Sequence, residues 1–156
     1  MNVGQIISYN DMTNQESFTL QKGMNFNVKN KDYHIILMST QKNAPYKDTI
    51  LPKNKTIIYE GHNIQKNHNK SGIPSNKVDQ PMYTPSGTLT ENGKFYNAVK
   101  TYKQYNKSPD KVKVYEKIKS GMWRYNGYFY LTDAWIENDN YRNVFKFKLD
   151  LIDEYL

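Results

Sequence analysis

Apolar positions along this chain come in short bursts, and most of the bursts alternate with polar residues. Val144-Phe145-Lys146-Phe147-Lys148-Leu149 predicts a strand with one apolar and one basic face. Val112, Val114 and Ile118 mark another strand over Val112–Ile118, and Tyr33–Met38 is a short continuous apolar run, the pattern of a buried strand. Val3–Ile7 and Thr56–Tyr59 read as further strands. Met122–Tyr125 and Tyr128–Leu131 flank Asn126-Gly127, the strongest hairpin signal in the sequence. Gly121 turns the chain before them, and Asp133–Glu137 continues the sheet to a turn at Asn138-Asp139-Asn140. One stretch has clear helical spacing: Phe95, Ala98, Val99 and Tyr102, behind Thr90 as N-cap, predict a helix over Glu91–Gln104. A shorter helical turn is expected at Asp11–Gln15, capped by Ser8 or Asn10, and Phe18–Met24 reads as loop.

Many short strands with one main helix predict an α+β, mainly β domain built on a small curled sheet or barrel, a single domain over residues 1–156. The exception to this patterning is His62–Gly87, rich in Asn, Lys, Pro and Gly and without strand or helix period. A loop this long in a compact domain is usually functional or unstructured. Lys66, Asn67, Asn69, Lys70, Asn76 and Lys77 could reach along a phosphate backbone from it, and a solvated insertion reads equally well. Lys94, Lys100 and Lys103 read as the wet face of the predicted helix, with phosphate contact as the alternative.

Charge adds a partner class to this outline. The net charge is +7, with 22 Lys and Arg against 15 Asp and Glu, and there are 14 Tyr. Lysines attract phosphates and aromatic rings stack on bases, which favours an anionic polymer. AT-rich coding also favours Lys, Asn, Ile and Tyr, so composition leaves binding and drift both open. The absence of Cys rules out disulfides and zinc–thiolate sites and fits a reducing compartment, here expected to be the cytoplasm. The first residues lack a signal-peptide pattern, and no apolar run approaches the length of a membrane span, so no membrane association is expected.

Asn43-Ala44-Pro45-Tyr46-Lys47-Asp48, followed by Ile57-Ile58-Tyr59-Glu60-Gly61, carries the candidate chemistry. Two tyrosines and a carboxylate suit a flat, hydrogen-bonding ring: aromatic faces stack on a base and an acid accepts from an exocyclic amine. Read alone, the same residues are better described as a Pro-Tyr turn with a surface Asp and a packed Tyr than as a ligand site.

Residues further along the chain narrow that choice. Trp123–Leu131, Ala134-Trp135-Ile136-Glu137 and Val144–Leu149 resemble the tyrosine-glycine hairpin and closing strand of SRA (YDG) domains. Ser39–Asp48 with Tyr59-Glu60-Gly61 resembles the SRA pocket loop and its following strand, and Val78-Asp79-Gln80 the Asp-Gln element before the family's helix. Val112–Lys117 resembles the strand bearing a Val-Arg-Val type signature. The segments Pro45–Asp48, Ile58–His62, Asp79–Met82, Val114–Ile118 and Ala134-Trp135 are most similar to the bacterial branch, in which an SRA-like domain precedes an HNH nuclease.

The resemblance implies a PUA-like curled β-barrel flanked by one main helix. It implies a reader of 5-methyl- or 5-hydroxymethylcytosine that flips the base from double-stranded DNA and serves as specificity domain for a modification-dependent restriction nuclease, fused or supplied as a partner. Tyr46 and Tyr59 would sandwich the ring, Asp48 would accept from N4, and Thr49 is a second polar candidate because Lys47 stands where many relatives carry an acid. The His62–Asn76 loop would probe the gap, and a second loop near Gly23–Lys31 would wedge from the other groove.

No catalytic residue, metal site or cofactor is expected. Gly61-His62-Asn63 and Asn67-His68-Asn69 do not make an HNH nuclease, which needs a spaced general base and metal ligands. His34 is expected to be packed, His62 and His68 to lie on the surface, and Asp150, Asp153 and Glu154 to form a solubilising tail. The alternatives are a domain that is itself a nuclease or base-processing enzyme, and a PUA-like RNA-binding module.

Overall fold

The computed structural model describes residues 1–16, 20, 23–40, 49–50 (backbone only) and 55–152. Its strands are β1 (Ile6–Ser8), β2 (Met24–Asn25), β3 (His34–Met38), β4 (Thr49–Ile50), β5 (Thr56–Glu60), β6 (Lys111–Lys119), β7 (Met122–Asn138) and β8 (Asn143–Leu151); its helices are α1 (Tyr9–Glu16) and α2 (Glu91–Tyr105). All eight strands join one curled sheet in the order β2-β3-β6-β7-β8-β5-β4, with β1 added to β7. The β3–β6 pair is parallel and the other pairs are antiparallel. This is the mainly β architecture expected from the strand pattern.

β3 is buried because both of its faces are used. Ile36 and Met38 join the main core, where Phe95 and Val99 of α2 pack over Val112, Val114, Phe129, Phe145, Phe147 and Leu149. Ile35 points the other way, into a second cluster with Met12 of α1, Leu20, Val28, Tyr115 and Tyr125. Helix α2 starts where predicted: the Thr90 hydroxyl accepts the Gly93 amide at 3.1 Å, and Asn106 closes the helix in the left-handed region. Helix α1 starts on Ser8, whose hydroxyl accepts the Asp11 amide at 3.1 Å. His34 is buried as expected, stacked on Phe26 and bonded through Nε2 to Asp110 at 2.7 Å.

Three expectations need correction. The chain does not reverse at Asn126-Gly127; β7 runs through it, and the reversal is at Gly121 (φ +76°). Residues on both sides of Asn126 pair with β6, so the ladder outweighs the turn propensity. Val114 faces Gly127 and Tyr115 faces Tyr125, leaving Asn126 as the extra residue of a β-bulge, with Gly127 at φ +107°. Asp150 is not in a tail: it lies in β8 and accepts from the hydroxyls of Thr56 (2.9 Å) and Thr132 (2.7 Å). Asp153 and Glu154 lie outside the described residues. Met24, expected in a loop, opens β2 against Ile36.

The second core encloses a charge. The Glu16 carboxylate, 1% exposed, accepts from Lys113 Nζ at 2.6 Å, from Tyr33 Oη at 2.7 Å and from Tyr115 Oη. The Lys113 ammonium also lies 5.5–5.6 Å from the ring centres of Tyr33, Tyr115, Tyr125 and Tyr128. Burial pushes the Glu16 carboxyl up, but the three hydrogen bonds and the Lys113 charge outweigh it and hold the pKa below the ordinary 4.5. Burial, and the carboxylate they donate to, push both Tyr33 and Tyr115 above the usual phenol value.

Candidate functional site

A cavity of about 770 Å³ opens where the end of β5, the chain after it and the first turn of α2 meet. Tyr59, the last aromatic of β5, lies at its inner end, with only 1% of the residue exposed. Its hydroxyl meets His62 Nε2 at 2.8 Å. His62 is held through its backbone: the buried Asn92 side chain accepts the His62 amide at 2.8 Å and donates to the His62 carbonyl at 2.9 Å. This two-point grip fixes where the chain leaves β5.

Close approach of backbone makes the wall possible. A β-carbon on Gly23 would fall 2.2 Å from Tyr59 Oη and 2.8 Å from His62 Nε2; one on Gly61 would fall 2.6 Å from Asn92 Oδ1. Only glycine lets these segments pack together. Gln80 completes the frame, donating to the Gly61 carbonyl at 2.8 Å and accepting the Phe145 amide at 2.8 Å.

Polar and basic side chains share the cavity's lining with apolar ones. His68, Gln65, Lys94 and Lys117 line it with Tyr83 and Trp123. Lys94 pairs with Glu91 at 3.0 Å, and the other Glu91 oxygen accepts the Phe26 amide at 3.0 Å. Tyr83 is 59% exposed on a tight turn in which the Thr84 amide donates to the Thr88 carbonyl at 2.8 Å. The helix lysines Lys94, Lys100 and Lys103 are exposed as expected; Lys94 also borders the cavity, Lys103 pairs with Asp133 at 2.6 Å and Lys100 lies over Tyr96.

The sequence-predicted residues divide in three. Tyr59 lines the cavity; Thr49 lies in β4 opposite Ile58, on the strand next to it; Tyr46 and Asp48 lie outside the described residues. In the long loop, Lys66, Asn67, Lys70, Asn76 and Lys77 are exposed, whereas Asn69 is engaged inside it, donating to the Ile73 carbonyl at 2.7 Å and accepting from Ser71. Two 3-10 turns, Lys66–His68 and Ser75–Lys77, shape this loop where no period was visible. His62 and His68 are half-buried in the cavity wall rather than on the surface, because Asn92 draws the chain after Gly61 inward. Of the second expected loop, Gly23 lines the cavity and residues 24–25 are strand.

Asn92 and Arg142 were not foreseen. Asn92 shares a stripe with Phe95 and Val99, and a polar side chain on an apolar stripe is the signal that could have found it. Arg142, 6% exposed, is the last residue of the β7–β8 turn, and nothing in its sequence neighbourhood announces burial.

The sequence matches no protein-family model and no curated protein. Among solved structures, the whole chain superposes on the SRA domain of SUVH5 in complex with fully methylated CG DNA, covering 92% of that chain with TM-score 0.65 and 22% identity. The same SRA domain bound to fully hydroxymethylated CG DNA gives TM-score 0.66 at 23% identity, again over 100% of this chain and 92% of that one. KRYPTONITE in complex with mCHH DNA, an H3(1-15) peptide and SAH gives TM-score 0.62 at 18% identity, over 100% of this chain and 33% of that one. At these identities what is shared is the fold, which is the fold of SRA domains.

Proposed function

We propose that this chain is a non-catalytic DNA-binding domain that rotates a 5-modified cytosine, 5-methyl or 5-hydroxymethyl, out of the duplex and into the cavity beside Tyr59. The observation that carries the reading is the placement of that cavity. It opens between the end of β5 and α2, beside the exposed lysines of the 62–78 loop, with an aromatic residue at its inner end. Its volume lies within the range of small-ligand pockets. The SUVH5 structures support the choice of ligand, because SRA domains of this fold are seen there with methylated and with hydroxymethylated DNA.

The energetics are adequate. Extruding a base costs a few kcal/mol. Each aromatic stack returns about 1–3 kcal/mol, and a carboxylate hydrogen bond to N4 adds to it. Tyr46 and Asp48 are the proposed partners of Tyr59, with Thr49 beside them. Tyr59 is 1% exposed, so stacking requires the entering base to displace what now covers its ring, while the hydroxyl stays anchored on His62. One added methyl is worth only about 0.8 kcal/mol, so preference over plain cytosine is modest unless the wall at carbon 5 fits closely. Lys66, Lys70, Lys77, Lys94 and Lys117 supply the phosphate contacts; five neutralised phosphates give a salt slope of about −4.5 in log K against log salt. In the cell we place the domain in the cytoplasm, lending its specificity to a restriction nuclease fused to it or acting as a partner.

Fluorescence anisotropy with duplexes carrying 2-aminopurine beside one 5-methylcytosine, one 5-hydroxymethylcytosine or plain cytosine tests both binding and extrusion. Tighter binding of a modified duplex, with a fluorescence rise, is the expected result. Equal affinity for all three without a rise removes the reading. Cleavage of modified plasmid by this chain alone with Mg²⁺ or Mn²⁺ would replace it with a nuclease.

A further inference from the structure

We propose that Arg142, buried behind the cavity wall and bonded to Asn63 of its lining, is a positioning residue for DNA binding: it clasps both ends of the 63–78 loop and so presents the loop's lysines in a fixed arrangement. The inference rests on the DNA-reading function proposed above. Arg142 Nη1 lies 2.6 Å from Asn63 Oδ1 at the start of the loop, and 3.3 Å and 3.2 Å from the carbonyls of Ser75 and Val78 at its end. Nη2 lies 3.9 Å from the buried Glu60 carboxylate, whose other oxygen takes Lys146 at 3.2 Å. One guanidinium thus ties the two ends of residues 64–74 to each other and to β5.

The clasp is itself braced. The Arg142 amide donates to Asp139 Oδ1 at 3.0 Å within the β7–β8 turn. Next door, the Asn143 amide donates to Asp79 Oδ1 at 2.7 Å, and the Gln80 amide donates to the Asn143 carbonyl at 3.0 Å. Outside, Lys77 lies 5.3 Å over the ring of Tyr141, which is 79% exposed. The hydrogen bonds of the guanidinium go to the loop, so what Arg142 stabilises above all is the loop's shape. A loop ordered before DNA arrives spends less binding energy on ordering. Lysine cannot take over: its point charge lacks the planar fork that reaches side chain, carbonyls and carboxylate at once.

The test uses Arg142→Lys and the milder Asn63→Ala in the full chain. Hydrogen exchange is read without DNA, and affinity is read with a duplex carrying one 5-methylcytosine and with its unmodified counterpart. In Arg142→Lys the amides of residues 64–77 are expected to exchange about tenfold faster or more, with those of β6, β7 and α2 unchanged. Affinity for both duplexes is expected to fall about tenfold, while 2-aminopurine fluorescence at saturation still reaches the wild-type level. Asn63→Ala should fall between wild type and Arg142→Lys. The proposal is overturned if the loop exchanges faster with affinity unchanged, if affinity falls with loop exchange unchanged, or if the sheet amides accelerate as much as the loop in both variants. If wild type binds none of the duplexes, the reader function fails and this role for Arg142 with it, while a loop-only acceleration would still show the clasp as a purely structural device.

Discussion

Two regions of this domain bury charge, and they do so to opposite ends. Around Glu16 the charges close on themselves: one carboxylate, one ammonium and four phenol rings satisfy each other between α1 and the sheet. At the other region, Asn92 and Gln80 spend hydrogen bonds on backbone, and Arg142, paired with Glu60, bonds Asn63 Oδ1 and two loop carbonyls, so the chain after β5 and the long loop are held around a cavity. A saturated cluster stabilises and has nothing left for a ligand. A set of side chains that grips backbone leaves space behind it. The difference separates a structural polar centre from a candidate site, although composition and burial make the two look alike.

The largest effect should come from breaking the closed cluster. Glu16→Gln keeps the shape but leaves Lys113 buried without its counter-charge, which costs about 3–5 kcal/mol in urea denaturation. DNA affinity per folded molecule should not change. The pH dependence follows from the depressed Glu16 pKa. A carboxyl held below 4.5 contributes stability that is complete above that value and is lost as pH falls through the lower folded-state value. Wild type should therefore lose stability in acid below its plateau, and Glu16→Gln should show a flatter curve over the same window. A variant as stable as wild type, or one that loses DNA preference while staying folded, would erase the contrast between the regions.

Gly23→Ala tests the other side with a smaller cost to folding. The new β-carbon meets Tyr59 Oη at 2.2 Å and the Leu37 carbonyl at 3.0 Å, so the Tyr59–His62 pair must shift. Overpacking of this kind costs about 1–3 kcal/mol. Because the displaced pair forms the cavity's inner wall, affinity for the modified duplex should fall at least about tenfold, more than stability alone explains. Unchanged affinity would move the binding site away from this cavity.

Much of the fold was legible because it is written in local periodicity. The helix behind Thr90 and the alternation of Val144–Leu149 depend on neighbours a few residues apart, and both appear as expected. Asn126-Gly127 failed as a turn because pairing with β6 on both sides, which no local pattern reports, turned a hairpin signal into a bulge. The site was legible in outline only. Tyr59 was placed by the strand and Gly61 that bound it. The residues that build the wall act at long range: Asn92 grips a backbone unit thirty positions earlier, and Arg142 reaches Asn63 across seventy-nine. Such contacts leave no local trace beyond a polar residue on an apolar stripe.

The smallest expected effect sharpens the comparison most, because it alters one atom of the cavity wall. Tyr59→Phe removes the hydroxyl that meets His62 Nε2 at 2.8 Å and keeps the ring. The lost hydrogen bond is worth about 0.5–1.5 kcal/mol, toward the low end here because His62 faces the cavity and can bond water instead. If the ring acts as a stacking surface and the hydroxyl only sets its orientation, affinity should fall by less than about tenfold and the preference for modified cytosine should persist. Tyr59→Ala empties a core position as well, at about 3–5 kcal/mol, and should abolish the preference. Anisotropy titrations of both variants against modified and plain duplexes separate the two roles. A Tyr59→Phe variant as impaired as Gly23→Ala would mean that the hydroxyl–imidazole pair itself reads the base, and that this wall does more than shape the cavity.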